Sequence, residues 1–359
     1  KDRPAAWLAA RKKFLISRVG DAALIAALVL TQQTLGTWDF EGMFSAAERL
    51  QAAPTAVGWI GWLLVFAALL KSAQFPFHSW LPDTMETPTP VSALMHAGVI
   101  NAGGILVIRL HPLIALSDAA MVTLCVVGGF TALFASTVML TQASVKRCLA
   151  FSTVAQMGFM MLECGLGAFH LALLHLVAHS LYKAHAFLAS GSAVQSKRRI
   201  SEQPISAWAV AGGLLAAVML SYAAARAMSV DPLHHLGLNL IFSIALAQLL
   251  WSGWDNGDRR WKAPLVLLLG GGMGLAYFGL EGIAGRIVNA GNGGGHWSGV
   301  LIAGAFLVVA VGQTQLPRLS RTAIGEKVYV HARNGFYLNT LANRFTASIW
   351  PARLAKEEI

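Results

Sequence analysis

Apolar residues run through this chain in long blocks divided by short polar connections. Ten blocks are long enough to cross about 30 Å of hydrocarbon, which takes about 20 helical residues. They lie at 14–36, 56–80, 90–112, 118–141, 147–166, 168–195, 205–229, 234–254, 263–282 and 297–316. A lipid-embedded backbone must satisfy its own hydrogen bonds, so apolar segments of this length predict helices. The expected fold is all-α, a polytopic membrane protein of about ten transmembrane helices. Residues 1–317 form the membrane domain and residues 318–359 a polar tail. In the tail Tyr337, Leu341, Phe345 and Ile349 recur every fourth residue, which predicts an amphipathic helix for the interface or a partner. Residues 37–55 predict a short surface helix, and residues 283–296 a glycine-rich loop.

Charge then orients the bundle. The connections at 1–18, 141–147, 196–204 and 255–262, together with everything after 317, hold 21 of the 27 lysines and arginines. These are alternate connections, so the positive-inside rule places them and both termini in the cytoplasm, with the chain in the cytoplasmic (inner) membrane. The composition agrees, at 56% hydrophobic and 12% charged residues, where soluble domains carry about 25% charged. A net charge of +10 would suggest nucleic acid in a soluble protein; here membrane topology accounts for it, and no nucleic-acid partner is expected. The opening residues lack a secretory signal pattern. Cys125, Cys148 and Cys164 have no metal-ligand spacing, so neither a disulfide nor zinc is expected, and no cofactor is called for.

Ionisable groups inside apolar spans are expensive and are functional candidates by default. Lys71 ends an apolar run in KSAQFPFHSWLP, and Pro76 must kink or unwind the helix there. Freed carbonyls at membrane depth are tolerated only against protein or water, so the break predicts a small hydrated cavity. The next span carries His96 one turn in, followed by Asn101, Gly103 and Gly104, glycines that permit close helix approach or a second break. On the sixth span His175, His179 and Lys183 sit at i, i+4 and i+8 and share one stripe. A metal site there is disfavoured, since no carboxylate or thiolate is near in sequence and the lysine would repel a cation. His170 and His185 fall off the stripe and read as structural. Asp21 lies shallow and is placed to pair with Arg18; Glu163 and Glu281 end their spans and read as interface anchors. Lys146 satisfies the positive-inside rule, with a second role left open.

Several long motifs carry a resemblance: SRVGD at 17–21, KSAQFPFHSWLPDTMETPTPVSALMHAG, VKRCLAFSTVAQMGF and HLVAHSLYKAHAFLASGS. Over about residues 15–195 the chain resembles the antiporter-type proton channel family. That family includes subunits L, M and N of bacterial NADH-quinone oxidoreductase and the large Mrp cation/proton antiporter subunits. The runs HAGVINAGGILVIRL and ECGLGAFHLALLHLVAHSLYKAHAFLASG, with the tail KVYVHARNGFYLNTLANRF, are most similar to the membrane subunits of DAB-type inorganic-carbon accumulation complexes. The resemblance implies an antiporter-like fold with broken helices. It also implies a hydrated charge axis through Lys71, His96, His175, His179 and Lys183, with Asp21, Lys146 and Glu163 as possible accessories.

Further implications concern function. The chain would be an ion-translocating subunit, not an enzyme, moving protons or Na+. Its partner would be a DabA-type zinc-binding subunit related to β-carbonic anhydrases, which would convert CO2 to bicarbonate. The family's acidic partner for the broken-helix lysine falls ahead of residue 1, so no carboxylate is assigned to Lys71. The rival is an antiporter-like subunit of a respiratory or Mrp complex. Residues 205–317 argue against it, since they show neither the second charged broken helix nor the long lateral helix of the respiratory subunits. A haem or quinone redox subunit is a rival of another class, but a single histidine stripe does not supply ligands facing one another across helices.

Overall fold

The computed structural model describes residues 4–49, 55–193, 205–254, 259–288, 296–319 and 321–350. Within them the chain is helical, with no strand. The helices are α1 (Pro4–Leu35), α2 (Phe40–Glu48), α3 (Thr55–Lys71), α4 (Trp80–Asp83), α5 (Thr89–Ala97), α6 (Ala102–Arg109), α7 (His111–Ile114), α8 (Asp118–Leu140) and α9 (Val145–Gly165). They continue as α10 (Phe169–Leu188), α11 (Ser190–Ala193), α12 (Ala207–Ala227), α13 (Leu236–Trp254), α14 (Arg259–Ala284), α15 (His296–Thr314), α16 (Leu316–Leu319), α17 (Ala323–Arg333) and α18 (Leu338–Ile349). The predicted basic connection at 196–204, residues 255–258 of the next one, residues 289–295 of the glycine-rich loop and residues 351–359 of the tail lie outside the described residues.

Each of the ten apolar stretches falls on a helix or a helix pair. Among the described residues six helices are long and apolar enough to cross a membrane, and Thr55–Lys71, Leu236–Trp251 and Ser298–Thr314 are shorter apolar helices. The remaining stretch, 168–195, is α10, whose apolar run is interrupted by its own histidines and lysine. The first helix begins at Pro4, ten residues before the hydropathy block at 14–36. On the surface α2 forms as expected: the Asp39 side chain caps it by accepting from the Gly42 amide at 2.9 Å, and Met43 and Ala47 bury its inner face.

The break after Lys71 is present. Helix α3 stops at Lys71, Ala73 takes a left-handed φ of 51°, and a 3-10 turn at Phe77–Ser79 leads into α4. The freed backbone is caught by neighbours, as buried amides require. Phe75 N donates to Thr131 Oγ1 on α8 at 3.1 Å, and Ser72 Oγ donates to the carbonyl of Ile100 at 2.9 Å. The following span is also broken, at Gly98 (φ −121°, ψ −72°), with a 3-10 turn over Val99–Asn101 joining α5 to α6. Gly103 serves close approach instead: a Cβ there would lie 2.3 Å from the Ala68 carbonyl oxygen. The two broken helices thus pack break against break.

Helices α8 and α9 pack backbone against backbone. A Cβ on Gly158 would sit 2.6 Å from the Ala132 amide nitrogen, so the two backbones touch where lipid-embedded helices gain most from van der Waals packing. Backbone cannot yield as a flexible side chain can. Gly158→Val is therefore expected to destabilise the bundle by about 1–3 kcal/mol or more. A lowered thermal unfolding midpoint in detergent checks this; an unchanged midpoint would mean the helices can part freely.

The tail returns to the bundle through polar atoms. Lys12 on α1 is 1% exposed and donates to Asp83 Oδ2 at 2.6 Å and to Asn339 Oδ1 at 2.5 Å, while Asn339 Nδ2 donates to Asp83 Oδ1 at 2.8 Å. The triad ties α1, the end of the broken helix and α18 together. Leu341, Phe345 and Ile349 face outward, so the predicted apolar stripe of α18 remains open. Removing one member of a buried pair costs about 3–5 kcal/mol because the other charge is left uncompensated. Lys12→Met is accordingly expected to release α18 and speed trypsin cleavage at Arg344 at least about tenfold, by local opening. Unchanged cleavage kinetics would refute the tie.

Candidate ion pathway

Helix α10 places His175, His179 and Lys183 on its inner face because they recur every fourth residue among leucines and alanines. Lys183 is fully buried; its Nζ donates to Ser152 Oγ at 2.7 Å and to the Leu149 carbonyl at 3.3 Å, both on α9. Cys148 lies close enough to interact with its charge. His179 is 4% exposed, and neither ring nitrogen meets a protein hydrogen-bond partner. His96, from α5, is fully buried, stacks on Phe187 with centroids 4.5 Å apart, and likewise leaves both nitrogens without a protein partner. His96, His179 and Lys183 are near enough for their charges to act on one another.

His175 completes the series. Its ring is 6.3 Å from that of His179, its Nδ1 is 2.9 Å from Glu163 Oε2, and its Nε2 is 2.8 Å from Gln156 Oε1. An imidazolium donates from both nitrogens to those oxygens. A neutral ring needs only the Gln156 amide turned, so that its NH2 donates to Nε2. The same side chains therefore accept His175 in both charge states.

Four of the five predicted residues are thus brought together: His96, His175, His179 and Lys183. The fifth stands apart. Lys71 pairs with Asp21 on α1, and Asp21 also binds Arg18 Nη2 at 2.6 Å. Among the described residues no hydrogen bond or ion pair joins Lys71 to the α10 cluster. The connection is a polar seam: Ser72 bonds the Ile100 carbonyl, and Asn101 Nδ2 donates to Ser180 Oγ at 2.7 Å, next to His179.

Three sequence readings change. Asp21 is the carboxylate of Lys71, level with the helix break, not merely a shallow partner of Arg18. Glu163 is 5% exposed and bound to His175, so it belongs to the cluster and is no interface anchor. Glu281 is likewise buried, 3.8 Å from His170, where the sequence suggested an anchor. Lys146 sits half-buried in the first turn of α9 and makes no bond to the cluster among the described residues. Gln156 and Ser152 were not singled out at all, although both lie in the quoted motif VKRCLAFSTVAQMGF, one turn apart. Glu163 puts a carboxylate beside the stripe, yet among the described residues no three His, Cys, Asp or Glu converge as a metal-binding group.

Buried lysine, histidine and glutamate set in broken and unbroken apolar helices are the chemistry expected of an ion-translocating membrane subunit. Comparison agrees: the family model for the transmembrane part of NADH:quinone oxidoreductase and Mrp antiporters matches residues 1–248, and the chain belongs to that family. Within it, the chain is similar to the DabB subunits of inorganic carbon transporters. It is 39% identical over 373 residues to the protein named "Probable inorganic carbon transporter subunit DabB2" of Halothiobacillus neapolitanus, an alignment covering 99% of this chain and 67% of the relative. It is 40% identical to the DabB of Hydrogenovibrio crunogenus, over 98% of this chain and 68% of the relative. Subunit L of the Mycobacterium tuberculosis NADH-quinone oxidoreductase is 39% identical over 62% of this chain and 34% of its own length. Among solved structures, a chain of the Mrp complex from Dietzia sp. DQ12-45-1b shares the fold, with a TM-score of 0.51 and 22% identity over 97% of this chain and 40% of that one. This chain therefore spans about two thirds of the two DabB relatives.

Proposed function

We propose that this chain is the proton-translocating membrane subunit of an energy-coupled inorganic-carbon pump. The supporting observation is the cluster His96–His179–Lys183 with His175 held between Glu163 and Gln156. Buried polar atoms are stable only with partners, and the unbonded nitrogens of His96 and His179 call for water between them. Water plus imidazoles that accept either charge state make a proton wire. Lys71 with Asp21 is a separate charged element, linked through the Ser72–Asn101–Ser180 seam. Opening the Lys71–Asp21 pair changes the field on that seam, which suits a coupling switch.

The near-complete alignment to DabB proteins, against 62% for the respiratory subunit, favours the carbon-pump reading over an antiporter subunit. On that reading the hydration of CO2 belongs to a DabA-type zinc subunit related to β-carbonic anhydrases, and the present chain supplies the driving force. Residues 1–317 form the domain in the cytoplasmic membrane, and residues 318–359 the cytoplasmic tail, whose open apolar stripe suits an interface. Purification in mild detergent from the native membrane tests this. A stoichiometric zinc-containing partner is expected; respiratory quinone oxidoreductase or Mrp subunits in its place would refute it.

A further inference from the structure

A second set of buried ionisable side chains lies outside the stripe, at the end of the bundle opposite the basic connections. His170, in the first turn of α10, is 5% exposed; Glu281, near the end of α14, is 7%; His235, just before α13, is 7%. His170 Nε2 is 3.8 Å from Glu281 Oε1, and the His170 and His235 rings are 5.5 Å apart. The His235 ring meets that of His234 at 4.3 Å, and His234 is exposed. His170 Nδ1 and Glu281 Oε2 are both buried without a protein hydrogen-bond partner. A structural ion pair would close to hydrogen-bond distance and satisfy both groups; this one does neither.

The set also connects to the stripe. Tyr277 lies one turn before Glu281 on α14, and the charges of both Glu281 and Glu163 act on its hydroxyl. Tyr277, Glu163 and Gln156 line one cavity of about 350 Å³ between α8, α9, α13, α14 and α15. Three helices that are separate in sequence thus bring carboxylate, phenol and imidazole into a series that starts at His175 and ends at solvent.

We propose that Glu163, Tyr277, Glu281, His170 and His235 form an outward proton-release branch, carrying protons from His175 to the exposed His234. The His175 imidazolium gives its Nδ1 proton to Glu163, leaving neutral imidazole and carboxylic acid. Glu163 passes it through the Tyr277 hydroxyl, which gives up one proton as it takes another, to Glu281. The Glu281–His170 pair holds a proton as acid and imidazole or as carboxylate and imidazolium, with no change in net charge. The proton therefore shifts between the two groups at little electrostatic cost, and its release through His235 to His234 carries one unit of charge outward. One proton enters at His175 and one leaves at His234.

The branch rests on the translocation reading, and the test separates the two. The chain with its native partners is reconstituted in liposomes carrying a pH dye, and proton flux is driven by a potassium diffusion potential. Wild type is expected to conduct, and Glu281→Gln to lose at least about tenfold, because an amide cannot exchange the proton. Glu281→Asp, which keeps the carboxyl, should retain most of the flux. No wild-type flux would overturn the translocation reading and the branch with it. Wild-type flux undiminished in Glu281→Gln would overturn the branch alone, and so would equal losses in the Asp and Gln variants, which mark a packing role. Should Glu281→Gln assemble poorly, pH-difference infrared spectra of wild type and Glu281→Asp decide. A carboxyl band that titrates and shifts in the Asp variant supports the branch, and an unchanged spectrum overturns it.

Discussion

Lys183→Ala is expected to abolish inorganic-carbon accumulation while the complex still assembles. Lys183 Nζ is bonded to Ser152 within the α10 cluster, and it sits at the buried end of the ladder from His175 through His179. Alanine removes a group that takes up and gives back protons, where positioned proton transfer contributes about 10²–10⁴-fold to rate. The fold should survive, because the partners left behind are a hydroxyl and a helix carbonyl that can bond each other or water, not an opposing charge. The measurement is growth in ambient air of a host lacking its own carbonic anhydrases, with assembly checked by pull-down. Lost growth, rescued in high CO2, with the complex retained, is the expected outcome. Wild-type growth would exclude Lys183 from the path.

Lys71→Arg is expected to be as damaging as Lys71→Ala, and the comparison is diagnostic. Lys71 is paired with Asp21, and Asp21 keeps Arg18 as a second partner, so neither variant strands a carboxylate. Arginine preserves the ion pair and the positive charge but effectively never deprotonates. If Lys71 only held Asp21 in place, Lys71→Arg would support growth. If the pair must open and the ammonium must release its proton, both variants fail, with flux reduced at least about a hundredfold. Asp21→Asn gives the complementary reading: it leaves Lys71 without its carboxylate and should slow translocation less than Lys71→Ala. Flux equal to wild type in Asp21→Asn would remove the pair from the mechanism.

Local pattern carried much of this protein. Proline after a membrane-length apolar run marked the break at Lys71–Trp80, since proline removes a donor wherever it falls. The i, i+4, i+8 spacing of His175, His179 and Lys183 fixed their common face, since helix geometry is set by the backbone alone. Block length and the distribution of lysine and arginine gave the helices and their boundaries to within a few residues, apart from the early start of α1 at Pro4.

Partnership between helices was another matter. Asp21 with Lys71, Glu163 with His175, and His170 with Glu281 join residues 50, 12 and 111 positions apart, and each pair depends on how two helices rotate and slide against each other. Nothing in a hydrophobic pattern encodes that register, because lipid-facing and protein-facing surfaces are almost equally apolar and the periodicity of a buried span is faint. Small-residue contacts such as Gly103 on Ala68 and Gly158 on Ala132 help to set the register. The sequence by itself thus determined which side chains are costly in the membrane and which share a helix face. The tertiary structure alone decided which opposite groups meet, because a charge in a medium of low dielectric is stabilised only by the partner that packing brings to it.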